Sequence, residues 1–145
     1  VPDFDDIEAT NLKLIRVHYS AYSSGDVDGI LETLDDDVKI TVHDEHGARE
    51  GDTLRGKDAV REFFEQIMSQ ITNSTVEVKE LRADRSRVLA SVVLGGTSRV
   101  SGDTGAIPAV HLFTCYEGRI TSIRTHRPDW RQYAEARTPL DSASP

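Results

Sequence analysis

Five histidines and a single cysteine carry most of the chemistry open to this chain of 145 residues. Histidine is the side chain whose ordinary titration spans neutral pH. His18, His111 and His126 are therefore each able to exchange a proton there or to donate a hydrogen bond to developing negative charge. Tyr19 and Tyr22 sit close to His18 in sequence and add two hydroxyls. His43 and His46 stand three apart with Asp44 and Glu45 between them. On a strand-to-loop segment that spacing does not converge as it would on a helix, so no metal site is expected. Gly95-Gly96 and the stretch from Gly102 to Gly105 lack the following helix that phosphate binding uses, and no cofactor is implied. Cys115 has no motif around it and reads as an ordinary buried thiol. As the only cysteine it forms no internal disulfide, which fits a reducing cytoplasm.

The elements that must position these groups are legible from periodicity. A first helix is expected over about Ile7 to Ser24, turning Leu14, Ile15, Val17, His18, Ala21 and Tyr22 inward. Gly25 ends it and Asp26 caps a short second helix carrying Ile30, Leu31 and Leu34. Asp35, Asp36 and Asp37 mark a break. Lys39 to Asp44 alternates as a strand, with a short strand around Thr53 and Leu54. Val60, Phe63, Phe64, Ile67, Met68 and Ile71 give the third helix its apolar face. Strands then follow over Thr75 to Arg82, Val88 to Leu94, Ala106 to Tyr116 and Arg119 to Arg127. Gly95-Gly96 suggests a bulge or bend, and Glu117-Gly118 a tight hairpin turn. That hairpin sets His111 opposite Arg124 and His126 opposite Ala109. Residues 1–137 are read as one domain, with a disordered tail over 138–145.

The predicted class is α+β: three helices wrapped around a largely antiparallel sheet. Several strands are apolar on both faces, so a second copy of the chain is the simplest cover for the face away from the helices. The formal net charge of −8 disfavours nucleic acid and anionic membrane surfaces. No apolar run has the length of a transmembrane helix, and the residues from Val1 to Asp6 lack the basic start of a signal peptide. A cytoplasmic protein is expected.

Four pieces of the sequence resemble one superfamily. They are Tyr22-Ser23-Ser24-Gly25-Asp26-Val27-Asp28, Asp36-Asp37-Val38, Gly56-Lys57-Asp58-Ala59-Val60-Arg61-Glu62-Phe63-Phe64, and Val110-His111-Leu112-Phe113 followed by Glu117-Gly118-Arg119-Ile120. In that order they are similar to the NTF2-like, or ketosteroid-isomerase-like and SnoaL-like, proteins. The resemblance implies a cone-shaped pocket roofed by helices, open to a small apolar ligand, and a homodimer through the sheet face. Relatives include isomerases, dehydratases, polyketide cyclases, epoxide hydrolases and catalytically inert modules, so the fold alone does not decide the reaction.

Residue by residue, the resemblance puts His18 where the isomerases carry an oxyanion-binding tyrosine, with Tyr19 beside it. Thr41-Val42-His43-Asp44 resembles the strand end that bears their carboxylate base, which makes Asp44 the expected base. Their second oxyanion acid falls on Val110, so the complete isomerase set is absent. The Asp-Arg-Asp set of the epoxide hydrolases is absent too. By the isomerase register the Val110 face lines the cone, with His111 then at the dimer side and His126 in reserve. The expected substrate wall is Tyr22, Val42, Phe63, Phe64, Ile67, Val110, Leu112 and Ile123, with Trp130 at the pocket mouth. The expected function is cofactor-free acid–base chemistry on a largely apolar carbonyl compound: isomerisation, cyclisation or dehydration. A ligand-binding or dimerising module and an epoxide hydrolase are the alternatives.

Overall fold

The computed structural model describes residues 4–43 and 53–126. Its elements are α1 (Phe4–Ser23), α2 (Val27–Glu32), β1 (Leu34–His43), β2 (Thr53–Arg55), α3 (Lys57–Gln70), β3 (Ile71–Asp84), β4 (Arg87–Ser98), β5 (Thr104–Tyr116) and β6 (Arg119–His126). The six strands form one curved, unclosed sheet in the order β2-β1-β6-β5-β4-β3. Every neighbouring pair is antiparallel except β1 with β6. The α+β class, the three helices and the mostly antiparallel sheet agree with the sequence reading.

The helices lie over one face of this sheet because each has one apolar stripe to bury. In α1 the buried positions are Asn11, Ile15, His18 and Tyr19. Val17, expected on that stripe, is 49% exposed. The stripe instead runs at spacings of three and four through Ile15, His18 and Tyr22, which leaves Val17 about a quarter turn off its edge. Asp26 caps α2 by accepting a hydrogen bond from the Gly29 N–H at 3.0 Å. Helix α3 buries Val60 and Phe64. Against these pack Leu34, Val38, Val88, Phe113 and Ile120, all fully buried. Burial of each such side chain contributes about 1.5–3 kcal/mol.

Four local expectations are corrected. Asp35, Asp36 and Asp37 do not form a break after α2 but lie inside β1, with Asp36 and Asp37 exposed near its start. Ile71 opens β3 in extended conformation rather than closing α3. Gly95 and Gly96 keep regular register with β5, opposite Ala106 and Gly105. The irregularity belongs to β3, between Thr72 and Thr75, around Asn73 with its φ of 54°. At Gly95 a Cβ would come within 2.5 Å of Thr75 Oγ1, so a side chain there would require the Thr75 hydroxyl to move.

The fourth correction concerns the last hairpin. Its turn is as expected, with positive φ at Glu117 and Gly118. Between Thr114 and Cys115 the register shifts, so Cys115 pairs with Ile120 but Thr114 pairs with Ser122. Thr121 is the extra residue, its hydroxyl donating to the Thr114 carbonyl at 3.1 Å. His111 is consequently opposite Thr125, not Arg124, and His126 is opposite Val110, not Ala109.

Candidate active site

His18 and Tyr19 are adjacent on α1 and both buried. Neighbouring helical residues diverge by about a quarter turn or more, so the two rings leave the helix in different directions. His18 turns toward the end of α2, where its Nδ1 lies 3.0 Å from Thr33 Oγ1. Tyr19 turns toward the sheet, where its hydroxyl lies 2.6 Å from His111 Nδ1 on β5. Phe113, two residues along the same strand face, meets all three rings edge-on. Its ring centre is 5.5 Å from that of His18, 5.7 Å from Tyr19 and 5.8 Å from His111. These contacts hold the polar rings in fixed orientation within an apolar wall.

The rings border a cavity of about 550 Å³, counting its open mouth. Tyr22, Phe63, Phe64 and Ile67 close it from the helices. Ile40, Leu94, Phe113, Ile123 and Thr125 close it from the sheet.

Burial sets the charge state of this wall. His18 has its pKa lowered from 6.5 to about 3, first by burial and then by repulsion from His111. It is neutral at physiological pH. Burial likewise pushes the Tyr19 hydroxyl well above the ordinary tyrosine range, so it keeps its proton. Cys115 is pushed up to about 11 by burial and is an unreactive thiol near neutral pH.

Of the residues expected in the site, the structure brings together His18, Tyr19, Tyr22, Phe63, Phe64, Ile67, His111 and Ile123. It does not bring Val110, Leu112, Val42 or His126 to the cavity. Val110 is 40% exposed and Leu112 half-buried on the opposite sheet face. The expected Val110 lining is thus corrected: the pocket face of β5 is that of His111 and Phe113. Val42 is half-buried against the core, one alternation beyond Ile40. His126 is exposed beside Val110, where the Thr121 bulge puts it. Asp44 and Trp130 lie outside the described residues. Ile40, Leu94 and Thr125 were missed because their sides depend on bulges and register. Thr33 was missed because nothing in its neighbourhood marks a helix-ending threonine as a ligand of a distant histidine.

Among the described residues no group of three histidine, cysteine or acidic side chains is placed to hold a metal ion. No helix among them is long and apolar enough to cross a membrane.

A half-open sheet roofed by helices over an aromatic cavity is the NTF2-like architecture. The sequence matches the SnoaL-like domain over residues 15–123, and the chain belongs to that family. No curated protein matches it. Among solved structures it is similar to a putative SnoaL-like polyketide cyclase from Jannaschia sp. CCS1. That match has 17% identity and a TM-score of 0.75, covering 94% of this chain and 96% of the other. It is similar also to a putative polyketide cyclase from Xanthomonas campestris pv. campestris, at 20% identity and a TM-score of 0.71, covering 87% and 95%. A third is a hypothetical protein with the ketosteroid isomerase-like fold from Catenulispora acidiphila, solved in complex with trimethylamine. It has 18% identity and a TM-score of 0.68, covering 78% and 83%. At these identities the likeness is one of fold.

Proposed function

We propose that the chain is an enzyme of cofactor-independent proton transfer, acting on a small, largely apolar carbonyl compound of polyketide type by cyclisation, isomerisation or dehydration. The observation that carries this reading is the 2.6 Å contact between Tyr19 and His111 in the wall of a largely apolar cavity. The contact has two proton arrangements. Tyr19 donates to Nδ1 in one. In the other the Nδ1–H of His111 donates to the tyrosine oxygen, which frees the tyrosine hydrogen for a ligand.

The second arrangement is suited to catalysis. A carbonyl oxygen accepts the Tyr19 hydrogen, and the hydrogen bond strengthens as an enolate forms. Asp44 is the proposed base, taking the proton from the carbon next to the carbonyl. The electron pair of that C–H bond moves to the oxygen. Returning the proton at another carbon isomerises the substrate. Attack of the enolate carbon on a second carbonyl cyclises the substrate, the new alkoxide taking back the proton held by Asp44; expulsion of a β-hydroxyl that takes that proton as it leaves releases water. The sequence reading gave the oxygen-polarising role to His18. His18 is neutral at physiological pH and its Nδ1 is engaged with Thr33 at the end of α2, so Tyr19 backed by His111 takes that role here.

A second reading is a non-catalytic ligand-binding module, which a cavity walled by Tyr22, Phe63, Phe64 and Phe113 would also serve. In either reading the outer sheet face, with Leu89 at 42% and Val110 at 40% exposure, is proposed to pair with a second copy.

Turnover of a panel of small enones and polyketide-like diketones tests the proposal. Tyr19→Phe and Asp44→Asn are each expected to lower turnover about 10²–10³-fold. Turnover unchanged in both variants contradicts it. Tight binding with no turnover by the unmodified chain selects the binding module.

A further inference from the structure

Thr33 ends α2, and its hydroxyl is 2.6 Å from the carbonyl of Ile30. A carbonyl only accepts, so the single hydroxyl hydrogen of Thr33 is committed there. The oxygen is thereby left as an acceptor, and it stands 3.0 Å from His18 Nδ1. The hydrogen between them therefore belongs to the histidine. A neutral imidazole has one N–H, so Nε2 of His18 carries a lone pair.

Thr33 is itself held firmly. It is 4% exposed. Its N–H closes the last turn of α2 onto Ile30, and its carbonyl accepts the Ile120 N–H at 2.8 Å. Among the described residues His18 has no hydrogen-bond partner besides Thr33, yet no buried side-chain nitrogen or oxygen among them lacks a partner. Nε2 accordingly opens onto the cavity that His18 lines.

We infer that Thr33 is a positioning residue that fixes His18 as a pure hydrogen-bond acceptor, and that the cavity takes ligands presenting a neutral hydroxyl, phenolic or enolic, to His18 Nε2. This rests on the cavity being the ligand site proposed above, but not on any turnover. The chemistry is selective. A bare ketone offers Nε2 no hydrogen, and a phenolate or carboxylate would meet a lone pair. Protonating His18 to receive an anion is opposed by its burial and by His111. The aromatic rings around it suit a flat conjugated frame carrying that hydroxyl.

The test combines ring-nitrogen NMR of the 15N-labelled chain at pH 7 with calorimetric titration by 2-naphthol and by naphthalene. Unmodified protein is expected to show His18 protonated at Nδ1 only, and to prefer 2-naphthol by roughly tenfold, the scale of one good hydrogen bond. Thr33→Val leaves Nδ1 without an acceptor, so the proton shifts toward Nε2 and the preference falls to about parity. Thr33→Ser restores both. An Nε2–H signal for His18 in the unmodified chain overturns the inference, as does a naphthol preference that Thr33→Val leaves intact or a failure of 2-naphthol to bind. Should Thr33→Val not fold, the unmodified spectrum and the Thr33→Ser titration decide. Absence of turnover on any ketone would count against the enzymatic reading alone.

Discussion

Tyr19 on the first helix and His111 on the fifth strand, 92 residues apart, are joined by a buried 2.6 Å hydrogen bond. The contact ties α1 to the sheet and fixes the direction of a phenolic O–H in the cavity wall. Tyr19→Phe removes it with little change of shape. Chemical denaturation should show a loss of about 1–3 kcal/mol, the cost of taking a partner from a buried polar group. Unaltered stability would mean that the contact is not made in solution.

Acid should weaken the fold through His18. Its pKa is about 3 in the folded chain and near 6.5 when exposed, so between those values the unfolded chain binds a proton that the folded chain refuses. Stability is complete above pH 6.5 and falls as pH drops toward 3, by about 1.4 kcal/mol for each pH unit in that window. Urea unfolding at a series of pH values checks the slope, and His18→Gln should flatten it.

How far the site was readable from sequence follows from how each part is determined. The α1 stripe, the Phe63-Phe64-Ile67 roof and the family junction at Gly25-Asp26 depend on local spacing, and local spacing is visible. The inner face of β5 is not. His111 and Val110 alternate in a strand that is apolar on both sides, so composition gives no preference between them. The register with β6 turned on the single bulge at Thr121, which has no glycine to announce it. A slip of one residue was enough to put Thr125, rather than Arg124, opposite His111, and to send His126 outward.

Filling the cavity should abolish binding without unfolding the chain. Ile67 is half-buried on the α3 side of the pocket. Ile67→Trp is expected to remove 2-naphthol binding in calorimetry while the thermal midpoint moves by only a few degrees. Binding that survives this change would place the ligand elsewhere.

The outer face gives a separate prediction. Val110 and Leu89 expose apolar surface there, away from the cavity. Val110→Lys should convert a dimer to a monomer in sedimentation experiments and leave 2-naphthol affinity within about twofold, since the two faces share no contact groups. A dimer of undiminished stability would show that this face is not the interface.

The most direct measurement is a crystal structure of the chain grown with 2-acetyl-1-naphthol, a flat ketone bearing one hydroxyl. The predicted result is the ring system between Phe63, Phe64 and Ile67, with an oxygen within hydrogen-bond reach of Tyr19. Ligand density on the outer face around Val110 and Leu112, with none between the helices and the sheet, would contradict the account.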